Sequence, residues 1–325
     1  MPVSAQNPEA ILRRLEWTVV RRLDGLLQGD YRTLFRGFGL DLAGLREYQS
    51  GDDVRYIDWN VTARLQTPYV RQYVEDREVT AWFLLDLSPS VDFGTVQTLK
   101  RSLLIDFVTV LARLLTRHGN RVGAILYADK VNGVIPAQGG RTQVLRLTNE
   151  LLLQPSLRHA PLTDLAALLA AALRTLRRRS LVFIVSDFIS APGWHKPLGM
   201  LAQRHEVLAV RLYDPREMAL PDIGPLILED AETGEQLYVD THDKHFRRRF
   251  VEAARRREYA LKVAFDRAGV DVLALSTEDD LAQEIVRFAT LRKQQQKAPA
   301  AFAASRVHGL SPARSAIDGL DTSLG

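Results

Sequence analysis

Three oxygen-bearing side chains alternate in Asp86-Leu87-Ser88-Pro89-Ser90, directly after the apolar run 79–85. An extended turn at that point aims Asp86, Ser88 and Ser90 the same way. A second apolar run, 181–185, ends in the same manner in Ser186-Asp187-Phe188. If both runs are parallel strands, these polar positions lie at strand C-terminal ends, the edge that lines the ligand crevice of open α/β sheets. Asp86 and Asp187 then face each other across one crevice. Two carboxylates held close repel unless a proton or a cation intervenes. Carboxylates with hydroxyls form a hard-oxygen set, suited to Mg²⁺, Mn²⁺ or Ca²⁺ and not to zinc.

Other chemistries fit less well. A metal-dependent hydrolase of the phosphatase type, as in the haloacid dehalogenases, also starts from an Asp at the end of a first strand. It needs a second Asp two residues on as general acid, and Ser88 stands there. A serine hydrolase needs Gly-x-Ser-x-Gly, and Ser88 and Ser90 lack the glycines. No Gly-x-x-x-x-Gly-Lys loop is present, so the chain does not read as an ATPase. His242 and His245 are three apart, but no third ligand is evident, and they read as surface residues. With no cysteine, thiolate zinc sites and disulfides are excluded, and a reducing compartment fits.

The elements that must position these side chains follow from the apolar patterning. Strands are predicted at 79–85, 121–127, 131–136, 181–185, 207–212 and 270–275. Helices are predicted at 95–116, 142–153, 165–176, 244–268 and 281–288. This alternation indicates an α/β fold, a doubly wound and mostly parallel sheet. Runs 226–229 and 236–240 flank Thr233-Gly234 and read as an inserted β-hairpin, near 223–241. Leu12, Leu15, Val19, Leu23 and Leu26 recur at helical steps and predict an amphipathic N-terminal helix packed on the rest. Residues 28–78 carry glycines among aromatics and charges and predict turns and short strands. The expected division is a flanking segment 1–77, a main domain 78–291 and a disordered tail 292–325, whose Ala, Ser and Gln show no apolar period.

The chain has 325 residues, 46% hydrophobic and 25% charged, enough for one large core. A formal charge of +4 and a pI near 9.4 are mildly basic. The arginine groups at 177–179, 247–249 and 255–257 accompany no nucleic-acid motif, so nucleic acid is not an expected partner. No apolar run approaches the roughly 18 residues of a membrane span. Arg13, Arg14 and Glu16 interrupt any secretory leader, so a cytoplasmic protein is expected.

Asp86, Ser88 and Ser90 match the Asp-x-Ser-x-Ser signature of the metal-ion-dependent adhesion site of von Willebrand factor A-like domains, which the chain resembles over roughly residues 78–290. The resemblance adds a threonine from a loop before a helix, the place of Thr163, and an aspartate after the fourth strand, the place of Asp187. It thus implies Mg²⁺ or Mn²⁺ at Asp86, Ser88, Ser90, Thr163 and Asp187. Thr163 alone would also read as a helix cap, without the capping box. Upstream, Leu45-Arg46-Glu47-Tyr48, Gly51-Asp52-Asp53-Val54-Arg55, Ile57-Asp58-Trp59 and Thr62-Ala63-Arg64 resemble the bacterial domain-of-unknown-function 58 family. Asp214-Pro215-Arg216-Glu217 and Glu232-Thr233-Gly234-Glu235 are similar to that family too. The resemblance implies a protein-binding, non-enzymatic module whose partner is a MoxR-type AAA+ ATPase or that ATPase's client. It implies a chaperone-like role in assembly or activation.

Overall fold

The computed structural model describes residues 7–23, 45–49, 59–71, 79–95, 98–157, 160–297 and 307–308. Two small strands, β1 (Leu45–Glu47) and β2 (Tyr69–Arg71), pair antiparallel, with helix α2 (Trp59–Leu65) between them in the chain. The short strands are as predicted for this stretch, and α2, seven residues long, is a short helix that the sequence reading did not include. The motif residues 51–58, Gly51 to Asp58 among them, lie outside the described residues, as do 28–44 and 72–78.

The main sheet begins at β3 (Thr80–Asp86) and continues with β4 (Arg121–Tyr127), β5 (Val131–Gln138), β6 (Leu181–Ser186), β7 (Glu206–Tyr213) and β10 (Asp271–Ser276). A two-residue strand β11 (Val307–His308) adds to its far edge. The order is β11-β10-β7-β6-β3-β4-β5, parallel throughout except for β5, which runs antiparallel to β4. The fold is thus α/β with a mostly parallel sheet, as predicted. Strands β3 and β6 are neighbours, with Leu85 opposite Val185. The chain leaves β3 towards β4 on one side and returns to β6 on the other. The C-terminal ends of β3 and β6 therefore flank the switch point, where such sheets open a crevice.

Both faces of the sheet are covered, which is why β3 and β6 are apolar almost without interruption. One face carries α1 (Pro8–Leu15), α3 (Lys100–Arg117), α4 (Gly140–Leu153) and α8 (Leu281–Lys297). There Phe183 stacks on Phe83 at 5.1 Å and meets the edge of Phe107 at 6.2 Å. The other face carries α5 (Leu165–Thr175), α6 (His195–Arg204) and α7 (Lys244–Ala268). Strand alternation sends Phe83 and Leu85 to the first core and Leu84 to the second.

The N-terminal helix packs as predicted. Ile11, Leu12 and Leu15 are buried, and Arg14 pairs with Asp106 of α3 at 2.7 Å. Helix α6 is absent from the sequence-based elements. Pro197 and Gly199 argue against it locally, yet proline is tolerated in a first helical turn, and buried Leu198 and Leu201 supply the packing. The boundary at 292 expected for the tail falls inside a helix. Helix α8 runs to Lys297, and Arg292 is held by Asp271 at 2.7 Å. Val307–His308 joins the sheet, and the rest of that segment lies outside the described residues. Between β7 and α7, β8 (Pro225–Glu229) and β9 (Gln236–Asp240) form the predicted hairpin, paired only with each other among the described residues.

Candidate metal-binding site

The β3 run ends at Asp86 because the sheet ends there, and the chain turns through a short 3-10 helix, Pro89–Asp92. The Ser88 backbone N–H donates to Asp86 Oδ1 at 3.0 Å, and the Ser88 and Ser90 hydroxyl oxygens stand 3.1 Å apart. From the neighbouring strand the Ser186 hydroxyl donates to Asp86 Oδ2 at 2.6 Å. Asp187 follows Ser186 and accepts from the Ile189 backbone N–H at 3.0 Å. Phe188, next in line, has a φ of 59°, strained for a bulky side chain. Its ring is locked against Phe265 at 4.9 Å and Trp194 at 5.7 Å, which maintains the turn that presents Asp187.

The third segment is the loop before α5. Asp164, not Thr163, caps that helix, accepting from the Ala167 N–H at 3.2 Å. The cap reading of Thr163 is thereby corrected. Its side chain is released from capping and is fully buried. The Thr163 carbonyl accepts from the Ser190 hydroxyl at 2.9 Å and from the Ala191 N–H at 2.8 Å, tying this loop to the one after Asp187. Capping and site function thus separate between adjacent residues. Asp164→Ala is expected to cost about 1 kcal/mol of stability, the usual size of a lost N-cap. A shift of that size in the urea midpoint, with metal affinity unchanged, checks the division of labour.

Asp86, Ser88, Ser90, Thr163 and Asp187 are all buried, and they come from three separate stretches of chain. The structure surrounds them with groups the sequence reading did not identify as part of the site. Lys100, at the start of α3, is buried and bonds Asp187 Oδ2 at 2.8 Å and Glu217 Oε1 at 2.6 Å. Glu232, in the hairpin turn, takes both donors of Thr163: the backbone N–H at 2.8 Å on Oε2 and the hydroxyl on Oε1. Asp214 is itself clamped by Thr95 at 2.7 Å and Thr277 at 2.8 Å, which fixes the Pro215–Glu217 turn that delivers Glu217.

The electrostatics divide the two aspartates. Burial alone raises both carboxyl pKa values. At Asp187 burial is the largest influence, but the Lys100 ammonium together with the hydrogen bonds to the carboxylate outweighs it and holds the group below its ordinary value. Lys100 is correspondingly held above its ordinary value: burial pushes it down, but Asp187 and Glu217 more than offset that. Asp86 has no such partner. Burial, then the Asp187 charge, push it up to about 6 against its hydrogen bonds. Among the described residues no cationic side chain pairs with it.

This donor set fits a hard cation: an uncompensated carboxylate at Asp86, a second at Asp187, and neutral hydroxyls beside them. Among the described residues no three His, Cys, Asp or Glu side chains group closely enough to hold an ion by themselves, so hydroxyls would have to complete the shell. His242 is instead bonded to Asp222 at 2.6 Å, well exposed.

Among solved structures, an aerotolerance-related membrane protein from Bacteroides fragilis aligns over 67% of this chain and 99% of its own, with 13% identity and a TM-score of 0.42. The BatB protein of Bacteroides thetaiotaomicron aligns over 68% of this chain and 100% of its own, with 10% identity and a TM-score of 0.40. A von Willebrand factor type A protein from Catenulispora acidiphila aligns over 67% of this chain and 43% of its own, with 10% identity and a TM-score of 0.36. Uncharacterized proteins from Mycobacterium bovis and Mycobacterium tuberculosis are 38% identical over 285 residues, 88% of this chain and 90% of theirs. Residues 44–260 match the family described as Protein of unknown function DUF58, and the chain belongs to that family.

Proposed function

We propose that the chain is a metal-dependent protein-binding module, and not an enzyme. Asp86 carries this reading: a fully buried carboxylate facing a second one, with hydrogen bonds but no cation of its own among the described residues. Mg²⁺ or Mn²⁺ would be held by the Ser88, Ser90 and Thr163 hydroxyls, with Asp86 and Asp187 bound directly or through water. Such an ion supplies residual positive charge and exchangeable positions for an anionic oxygen, here the Glu or Asp carboxylate of a partner.

The chain's own residues make that recognition selective. Neutral hydroxyls leave the charge of the ion uncancelled, and Lys100 offsets part of the nearby negative charge by pairing with Asp187. Without an ion, Asp86 meets an incoming carboxylate with repulsion. The family resemblance suggests a MoxR-type AAA+ ATPase or its client as the partner, acting together in chaperone-like assembly in the cytoplasm. No helix among the described residues is long and apolar enough to cross a membrane.

The experiment is to measure binding of the purified MoxR-type ATPase from the same genome with Mg²⁺ and with EDTA, for the native chain and Thr163→Ala. Binding is expected to fall at least about tenfold in EDTA or in Thr163→Ala, a loss of roughly 1.4 kcal/mol or more, while circular dichroism is unchanged. Undiminished binding in EDTA with the fold intact would exclude the metal site as the contact surface. Phosphatase activity that survives purification and vanishes in Asp86→Ala would favour the hydrolase instead.

A further inference from the structure

The hairpin β8–β9 stands away from the sheet, and its strands pair only with each other among the described residues. Its turn does not stand away. Asp230, Thr233 and Glu235 are exposed, yet Glu232 between Asp230 and Thr233 is only 4% exposed. Asp230 shapes the turn by accepting from the N–H groups of Glu232 at 3.0 Å and Thr233 at 2.7 Å. The turn is delivered to the loop before α5: the Ala160 N–H donates to the Glu232 carbonyl at 3.1 Å. The Glu232 carboxylate then takes the N–H and the hydroxyl of Thr163. Asp187 lies near enough for its charge, after burial, to raise the Glu232 carboxyl.

A glutamate carboxylate reaching Thr163, one of the residues that would hold the ion, from outside the domain core stands beside the place a partner's acidic side chain would take under the reading above. We propose that Glu232 is an internal stand-in for that acid: the hairpin occupies the partner's place, and a partner binds by displacing it. This rests on the metal-site reading and says what regulates that site. The geometry suits displacement. A two-stranded hairpin is marginally stable alone, so the Glu232 carboxylate contact and the one backbone bond from Ala160 carry much of what holds the turn down. Being tethered, Glu232 competes at an effective concentration in the millimolar range, enough to exclude weak acidic ligands and still yield to a partner that binds through further contacts.

The probe is Mn²⁺ with acetate as the competing carboxylate, read by the water-proton relaxation of bound Mn²⁺. The variants are Glu232→Gln, which keeps the shape of the side chain, and Glu235→Gln, an exposed change in the same turn. In Glu232→Gln, acetate is expected to displace bound water at a concentration at least about tenfold lower than in the native chain, because the tethered competitor is gone. Glu235→Gln is expected to match the native chain. Hydrogen exchange over 225–240 is expected to quicken in Glu232→Gln and, on addition of acetate and Mn²⁺, in the native chain. Equal acetate sensitivity in native chain and Glu232→Gln, both binding Mn²⁺, would overturn the stand-in and leave the metal site intact. Failure of both to bind Mn²⁺ would overturn both readings. Binding of Mn²⁺ by Glu232→Gln alone would support the occluding hairpin.

Discussion

Lys100→Met is expected to destabilise the protein by about 3–5 kcal/mol, the usual cost of stranding one partner of a buried ion pair. Methionine keeps the length of the side chain, so the loss is one of charge and not of volume. Lys100 is fully buried, and its ammonium is the cation that Asp187 and Glu217 share at 2.8 and 2.6 Å. Without it, two carboxylates converge on a site that already holds Asp86. The urea midpoint should drop with little change in slope, since the surface exposed on unfolding is the same. A midpoint shift worth under about 1 kcal/mol would place the pair among weak surface contacts and contradict its structural role.

Asp86→Asn is expected to act in the opposite direction. The folded protein raises this carboxyl from 3.8 to about 6, so ionising it costs the native state. For a raised carboxyl the sign is definite: its contribution to stability is fully present below pH about 4 and is lost as pH climbs through about 6. Two pKa units correspond to on the order of 3 kcal/mol. In EDTA at pH 7, Asp86→Asn is therefore expected to be the more stable protein by up to that amount, with the gap closing towards pH 4. Asparagine can still accept from the Ser88 N–H and donate to Ser186, so the local geometry survives. Excess metal should reverse the order once it passes a hundredfold excess over its Kd, because an ion that binds only the folded native chain adds about 2.7 kcal/mol there and about 4.1 kcal/mol at a thousandfold excess. Parallel pH profiles for the two proteins in EDTA would show that Asp86 is not strained by its surroundings. A residue that weakens the empty protein is what a binding site under selection leaves behind.

Much of this was legible in the sequence, for a definite reason. A strand buried on both faces must be apolar throughout, so the switch from Leu85 to Asp86 and from Val185 to Ser186-Asp187 marks where the apolar core gives way to a buried polar crevice. That edge is where ligands bind, and fold and candidate site appear together. The partners of these residues were not legible. Glu217 bonds Lys100 across 117 positions, and Glu232 bonds Thr163 across 69. Both stretches carry the family resemblance, yet neither has a local pattern that says what it touches. Lys100 opens a strongly periodic helix, where a lysine is ordinarily a solvated surface residue. Helix α6 was hidden by Pro197 and Gly199, because tertiary burial of Leu198 and Leu201 overrides local propensity. Asp164 took the cap from Thr163 by a shift of one residue, below the resolution of any boundary read from sequence.

The most direct measurement is a calorimetric titration of Mn²⁺ into the native chain and Asp86→Asn at pH 7. The native chain is expected to bind one ion, and Asp86→Asn to bind at least about 100-fold more weakly, beyond the 10- to 100-fold typical of residues that only support a ligand. Equal affinity in the two proteins, or no binding by the native chain and Glu232→Gln alike, would contradict a metal site at the ends of β3 and β6.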